Sequence, residues 1–378
     1  MGYSSMVIYA GKLVLAPMVR AGELPTRLLA LQHGADLVWS PEIIDKKLIQ
    51  CERQINETLK TVDFVIPSPG GNKPPTLVFR TYPAAEKGKV IFQIGTATPS
   101  LALEAALKVI KDVDGIDVNA GCPKHFSVHS GMGAALLQTP EKLCSILKEL
   151  VTKVGEPYKK PISVKIRLLE DEEKTLKLVE RLCSTGISNL TVHCRTTPMR
   201  NREAPIRDYI PGIYRICQRM KVSLIMNGAV RDRSHFRGLR EQLILPEDIG
   251  GMMADCAENN PTVFSDSPLP WYDTCRQYIK IANDFDNHLG NTKYMLSRLV
   301  PGKSKFFQFF ARCKTMQEVQ FVIDQLGPTG EMLKDPSSYL DNCREQEKLL
   351  KRKASDLKSQ QKQQEKKRKL QENSAETQ

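Results

Sequence analysis

One thiol and a set of amides and cations stand where chemistry can converge. Cys122 lies in the run Asn119-Ala120-Gly121-Cys122-Pro123, while Gln93, Lys165, His193 and Asn227 end other short apolar runs. Lys, His and Asn are costly to desolvate, so a buried strand rarely carries one without a partner. Polar groups at the ends of several strands therefore point to a shared pocket. A cation (Lys165), amides (Gln93, Asn119, Asn227), an imidazole (His193) and a thiol (Cys122) suit an anionic, planar, hydrogen-bonding ring. Reduced flavin is such a ligand, because a nearby Lys stabilises the negative charge along its N1–C2=O edge. No carboxylate pair suits glycoside hydrolysis, and no acidic cluster suits magnesium. The ten Cys form neither a CxxC pair nor a zinc-type Cys/His spacing. A reduced cytoplasmic and/or nuclear protein without a metal is expected.

The elements that must hold these residues are legible as a repeat. From Lys12 to about Phe264 the apolar runs are Leu13–Met18, Ala35–Trp39, Val90–Ile94, Ile116–Asn119, Ile162–Ile166, Leu190–His193, Ser223–Met226 and Gly251–Ala254. They lack the alternation of half-exposed strands, as strands covered on both faces do. Between them, Pro99–Lys111, Pro140–Val151 and Glu172–Leu182 carry apolar residues on one helical face. Such β-α units fit a doubly wound sheet or a barrel, and eight strands in about 250 residues favour an α/β (β/α)8 TIM barrel. In a barrel the carboxyl ends of the strands share one mouth, and a phosphate commonly binds near the last two strands. The barrel is assigned to residues 1–268. Ser40 to Lys89 is an insertion with a hairpin, Asp63–Pro67 and Thr76–Thr81 around Ser68–Pro75, and Ser234–Glu241 is a short polar helix.

Beyond Phe264 the strand signals stop. Trp271–Phe285, Asn291–Leu299, Phe306–Ala311 and Met316–Leu326 read as helices of a domain over residues 269–343. Residues 344–378 form a basic helical or disordered tail, with eleven Lys or Arg against four Asp or Glu from Arg344 to Leu370. The net charge of +12 calls for a polyanionic partner. No apolar run is long enough to span a membrane, and Met1 to Val14 does not read as a signal peptide, so nucleic acid is favoured over membrane. Arg20, Arg27, Arg195, Arg200 and Arg202 near the mouth, and Lys293, Arg298 and Arg312 on the helices, are candidates for phosphate contact. The tail could grip RNA, act as a nuclear-localisation run at Lys366-Lys367-Arg368-Lys369, or serve solubility.

These motifs resemble those of the tRNA-dihydrouridine synthases. The resemblance rests on Leu15–Val19, Phe92–Gly95, Asp117–Lys124, Gly131–Leu137, Val164–Arg167 and Val192–Arg195, and runs from about Lys12 to Ala311. Pro41–Lys47, Asp286–His288 and Asn291–Tyr294 resemble the eukaryotic, fungal-type branch, associated with uridine at tRNA position 20. The resemblance implies FMN as prosthetic group, NADPH or NADH as electron donor, and tRNA as partner, its uridine extruded into the mouth. It implies hydride transfer from flavin N5 to C6 and protonation of C5 by Cys122. Pro17, Met18, Val19, Gln93, Lys165, His193, Asn227, Gly228 and Ala229 would contact FMN. Asn119 and Arg167 would lie beside the uracil, with Arg195 and Lys293 on the tRNA side.

One departure stands out. The family commonly has Gly-Arg or Ala-Arg after the eighth strand, and this chain has Ala254-Asp255. That carboxylate would repel a phosphate, so Asp255 must turn away and leave backbone amides to bind it. A monomer is expected. Two rival readings are a small-molecule flavin oxidoreductase of the dihydroorotate type, opposed by the basic tail, and a non-catalytic RNA binder, opposed by the intact Cys122, Lys165 and His193.

Overall fold

The computed structural model describes residues 7–68, 70 and 74–375; the side chains of Phe126 and of residues 365–375 lie outside the description. Eight parallel strands form a ring: β1 (Leu13–Leu15), β2 (Leu37–Trp39), β3 (Val90–Gly95), β4 (Gly115–Ala120), β5 (Ile162–Leu168), β6 (Asn189–Thr196), β7 (Ser223–Asn227) and β8 (Gly250–Met253). Each pairs with the next, and β8 returns to β1 through Leu13–Gly251, Val14–Met252 and Leu15–Met253. The TIM barrel is present, with every strand where the sequence marks it.

Side chains alternate across a strand, so position parity assigns each to the inside or the outside of the ring. Leu15, Val38, Phe92, Val118, Val164, Ile166, Val192 and Met226 point outward into the main core beneath the helices. The opposite parity fills the inside with Val14, Leu37, Trp39, Ile91, Ile225 and Met252, together with Tyr9. On β4, β5 and β6 the inward positions are Asp117, Asn119, Ser163, Lys165, Thr191 and His193, whose levels match through Asn119–Lys165 and Lys165–Thr191. The barrel interior is thus apolar on one side and polar on the other. The polar side is where a ligand must be held.

The outer helices form because apolar residues recur at helical spacing behind a defined start. Glu172–Cys183 begins at Asp171, whose Oδ1 accepts from the Lys174 amide at 2.8 Å, and buries Leu178, Val179 and Leu182. Pro140–Leu150 starts on a proline and buries Leu143, Ile146, Leu147 and Leu150. Each such leucine contributes roughly 1.5–3 kcal/mol of apolar burial.

The insertion is a three-stranded antiparallel sheet, Glu52–Asn56, Thr61–Ile66 and Thr76–Thr81. The expected hairpin is there, its turn falling partly on residues 69 and 71–73, outside the description. Glu52–Asn56 was not expected as a strand: its Glu-Arg-Gln-Ile-Asn sequence is polar and exposed, with no alternation to mark it. A buried ion pair at the end of this sheet corrects one expectation. Arg27, expected at the mouth, is fully buried; its Nε donates to Glu86 Oε1 at 2.6 Å and its other nitrogens to the carbonyls of Gly22 and Arg80. It is a packing residue, out of reach of RNA.

The chain divides into two compact units, Met1–Pro301 and Gly302–Gln378. The helices Trp271–Asp284 and Leu289–Leu299 belong to the first, so that unit extends past the boundary expected at residue 268. The reason is packing: Cys275, Tyr278, Ile279, Met295 and Leu296 are buried. In the second unit Lys305–Arg312 and Met316–Ile323 pack with the start of the long helix Ser337–Ala375. Arg344 pairs with Glu318 and Glu347, Arg312 pairs with Asp341, and the Phe321 and Tyr339 rings stack with centroids 3.7 Å apart. The Lys366–Lys369 run lies on this helix, with its side chains outside the description. No helix among the described residues is long and apolar enough to cross a membrane.

Candidate active site at the carboxyl ends of the strands

The polar side of the barrel opens into a cavity of about 530 Å³, within the roughly 300–1,000 Å³ of cofactor-sized sites. Of the residues singled out from the sequence, Pro17, Met18, Val19, Gln93, Asn119, Cys122, Lys165, Arg167, His193, Arg200, Ala254 and Asp255 line it. Asn227, Gly228, Ala229, Arg195 and Lys293 are not part of this lining.

Cys122 is positioned through its own backbone groups and those of its neighbours. Asn119 Oδ1 accepts from the amides of Gly121 (3.0 Å) and Cys122 (3.1 Å), and the Cys122 carbonyl accepts from Ala134 N at 2.9 Å. The Gly131-Met132-Gly133 segment closes against this turn. Gly133 has φ +57°, and a Cβ there would lie 2.6 Å from the Cys122 carbonyl oxygen and 2.4 Å from Ser127 Oγ. Glycine is required for that approach. Arg167 holds the same turn from below: its Nε donates to the Gly121 carbonyl at 3.0 Å and its Nη1 to the Thr196 carbonyl at 2.9 Å. The half-buried thiol is pushed above its ordinary pKa, first by burial and further by Glu42, against the pull of Lys124 and Lys165. Such a thiol keeps its proton at neutral pH and can donate it.

Lys165 and His193 supply charge and a fixed donor. Burial, then the neighbouring Arg167, lowers the Lys165 ammonium to about 8, with Asp117 opposing. His193 is pushed down to about 2 by burial and by Lys165, Arg167 and Arg195, so its ring is neutral. Arg195 Nη1 lies 3.0 Å from His193 Nε2. A guanidinium can only donate, so Nε2 accepts and the ring proton sits on Nδ1. Arg195 is buried, with its Nε on the Glu203 carbonyl and its Nη2 on the Asn201 carbonyl. It shapes the loop after β6 and orients His193, where an RNA-side position was expected.

Beneath them lies Asp117, a site residue that spacing and motif alone do not single out. It is fully buried and accepts from Gln93 Nε2 at 2.8 Å and Ser163 Oγ at 2.6 Å. Burial raises its carboxyl to about 6, opposed by those bonds and by Lys165. Gln93 spends one amide N–H on Asp117, which leaves its carbonyl oxygen and its second N–H for the cavity. A signal does exist: Asp117 shares the parity of Asn119 on a strand whose other residues are apolar.

The far end has a different character. Asn227 Nδ2 donates to the Met252 carbonyl at 2.9 Å, tying β7 to β8. Gly228 has φ +112° and lies so close to His193 that a Cβ would be 3.0 Å from the ring Cδ2; Ala229 has φ +51°. Arg207 donates to the Gly228 carbonyl at 2.9 Å, while its buried Nε has no partner among the described residues. A bare backbone turn beside an orphaned guanidinium N–H is a setting that fits a phosphate. In the sequence Arg207 reads as an ordinary loop arginine. Asp255, the departure from the family pattern, has Oδ2 engaged by Asn201 Nδ2 at 2.8 Å. Among the remaining lining residues, Tyr294 hydrogen-bonds Glu258 and lies under the Arg20 guanidinium, 4.1 Å from the ring centroid. Arg298 pairs with Glu258 at 3.1 Å, and Lys293 is half-buried on the same helix.

Comparison with known proteins agrees with this geometry. A family profile described as "Dihydrouridine synthase (Dus)" matches residues 14–355. The tRNA-dihydrouridine(20) synthase [NAD(P)+] of Saccharomyces cerevisiae is 66% identical over 352 residues, 92% of each chain. Its Schizosaccharomyces pombe counterpart is 46% identical over 82% of this chain, which spans 64% of that relative. A Homo sapiens relative, tRNA-dihydrouridine(20a/20b) synthase [NAD(P)+]-like, is 27% identical over 85% of this chain. A barrel whose mouth gathers a protonated thiol, a buried lysine and a neutral histidine, matched by that profile over most of its length, belongs to the dihydrouridine synthase family.

Proposed function

We propose that this chain is a tRNA-dihydrouridine(20) synthase, an NAD(P)H-dependent oxidoreductase that saturates the C5=C6 bond of a uridine in the tRNA D-loop. The observation that carries the reading is the Cys122 thiol, held at the mouth through its backbone, kept protonated by burial, and placed in one cavity with Lys165 and Gln93. FMN is the proposed prosthetic group, and when bound it supplies the hydride for C6. The residues present suit it. Lys165 offers a cation to the anionic ring edge, Gln93 an acceptor, His193 an N–H donor, and Pro17, Met18 and Val19 a short apolar wall. Gly228, Ala229 and Arg207 would take the phosphate. Asn119 and Arg167 fix the turn that aims Cys122 at C5, and Cys122 Sγ gives its proton there.

A reduced setting, cytoplasmic or nuclear, is proposed, supported by ten free thiols, Cys183 and Cys217 among them with sulfurs 4.0 Å apart; a monomer is proposed as well. The function is tested by mapping dihydrouridine in tRNA from cells with and without the protein. Loss of the modification at position 20 alone is expected. Unchanged tRNA would overturn the reading.

The lysine also makes a prediction about pH. Its folded-state pKa is lowered to about 8, so its charge is present below that pH and lost above it. An anionic ligand raises that pKa by linkage, which sets the transition at or above pH 8. Flavin release, followed by the recovery of free-flavin fluorescence, is expected to increase above that point in the native protein. In Lys165→Met binding should be weak, and release high and pH-independent across the same range.

A further inference from the structure

Glu42 follows β2 and lines the same cavity as Cys122. The other acids of that lining have partners, Asp255 with Asn201 and Glu258 with Tyr294 and Arg298. Glu42 is hydrogen-bonded by the Asn119 side chain, while its Oε1 is buried with no hydrogen-bond partner among the described residues. Asn119 Oδ1 is already committed to the Gly121 and Cys122 amides, so its Nδ2 faces Glu42. One amide therefore links the carboxyl to the backbone of the thiol. Space for the carboxyl is built in: a Cβ on Gly95 would lie 2.5 Å from Glu42 Oε1.

We propose that Glu42 returns a proton to Cys122 after each reduction, acting through the thiol and not on the uracil. The inference rests on Cys122 being the proton donor. Each turnover breaks the Sγ–H bond and forms C5–H, leaving a thiolate. The Glu42 O–H bond then breaks as a new Sγ–H bond forms, and the carboxylate takes its next proton from solvent at the mouth. No oxidant or further reactant is consumed. The raised thiol pKa makes the transfer downhill from a carboxyl, and Lys124 and Lys165 beside the sulfur tide the thiolate over until the proton arrives. Burial raises the Glu42 pKa, which keeps a proton available for transfer, and Lys124 opposes that effect.

The test compares Glu42→Gln and Glu42→Asp with the native full-length protein, with its bound flavin, on unmodified tRNA. In Glu42→Gln the first turnover is expected within about twofold of native, and the steady-state rate at least about tenfold lower. Glu42→Asp should recover part of that loss. Independently, alkylation of the Cys122 peptide by iodoacetamide, read by mass spectrometry across pH, should shift to lower pH in Glu42→Gln, because the carboxylate no longer opposes the thiolate. That shift reports the carboxylate beside the sulfur, while the split between first and later turnovers reports the transfer itself. Native steady-state rates in Glu42→Gln, or a first turnover slowed as much as later ones, would overturn the proposal. An inactive native protein would instead count against the enzyme assignment, and the alkylation profile would still report on the pair.

Discussion

Cys122→Ala is expected to slow uridine reduction by about 10²- to 10⁴-fold, the range of a positioned general acid, while flavin stays bound and the fold stays intact. The main contacts that build the site leave the sulfur uninvolved. Asn119 grips the Gly121 and Cys122 amides, Ala134 N reaches the Cys122 carbonyl, and Arg167 takes the Gly121 carbonyl. Truncation to alanine preserves all of these; it removes the proton source for C5 and the Lys124 backbone bond to the sulfur. The half-buried position also limits the stability cost, since the lost sulfur borders open cavity and not close-packed core. The measurement is dihydrouridine formed per enzyme in a single turnover, beside the visible spectrum of the bound flavin. A serine at 122 keeps the size and offers a far weaker acid, so it should resemble alanine. Unchanged single-turnover rates in either variant would remove Cys122 from the mechanism.

Burial above and cations below set opposite demands on that thiol, and the pH dependence follows from the balance. The folded-state pKa is raised, so the protonated form persists through neutrality and is lost only as pH climbs past the ordinary thiol range near about 8.5. His193 contributes no limb near its ordinary value, because it is neutral from about 2 upward. An acidic limb would have to come from Asp117, whose carboxyl titrates near about 6. Protonating Asp117 removes the counter-charge beneath Lys165 and lets Gln93 turn.

The barrel was legible because strands covered on both faces have to be apolar on their outer parity. Leu15, Phe92, Val118, Val164 and Val192 announce five of them directly. The mouth was legible because polar residues at the ends of buried strands are costly unless they converge on partners or a ligand, and Gln93, Asn119, Lys165 and His193 do meet. What stayed hidden depends on partners that sequence spacing does not encode. Arg27 and Arg195 look like surface cations until Glu86 is found against one and the Asn201 and Glu203 carbonyls against the other. Glu42 comes to the cavity from the end of a different strand, and Arg207 reaches Gly228 across twenty-one positions of chain. Strand Glu52–Asn56 forms because Thr61–Ile66 offers it an edge, a tertiary cause with no local signature.

The second large effect concerns stability, at a residue the sequence placed on the RNA-binding side. Arg27→Met is expected to lower the unfolding free energy by about 3–5 kcal/mol, the cost of stranding one member of a buried ion pair. Both side chains are fully buried, and Glu86 would keep only the Thr81 hydroxyl at 2.8 Å and the Tyr82 amide at 3.0 Å. The Gly22 and Arg80 carbonyls would lose their donors as well. That loss is a large part of the roughly 5–15 kcal/mol that holds a typical domain together, so urea denaturation should show the transition moving to much lower concentration. Adding Glu86→Leu to Arg27→Met should recover much of the loss, because an apolar pair of similar volume carries no desolvation cost. The RNA side gives the discriminating readout. A phosphate contact would contribute about one unit to the slope of log affinity against log salt, whereas a buried packing residue contributes none. Folded Arg27→Met should therefore bind tRNA with the native salt slope; a reduced slope at native stability would return Arg27 to the RNA-binding surface.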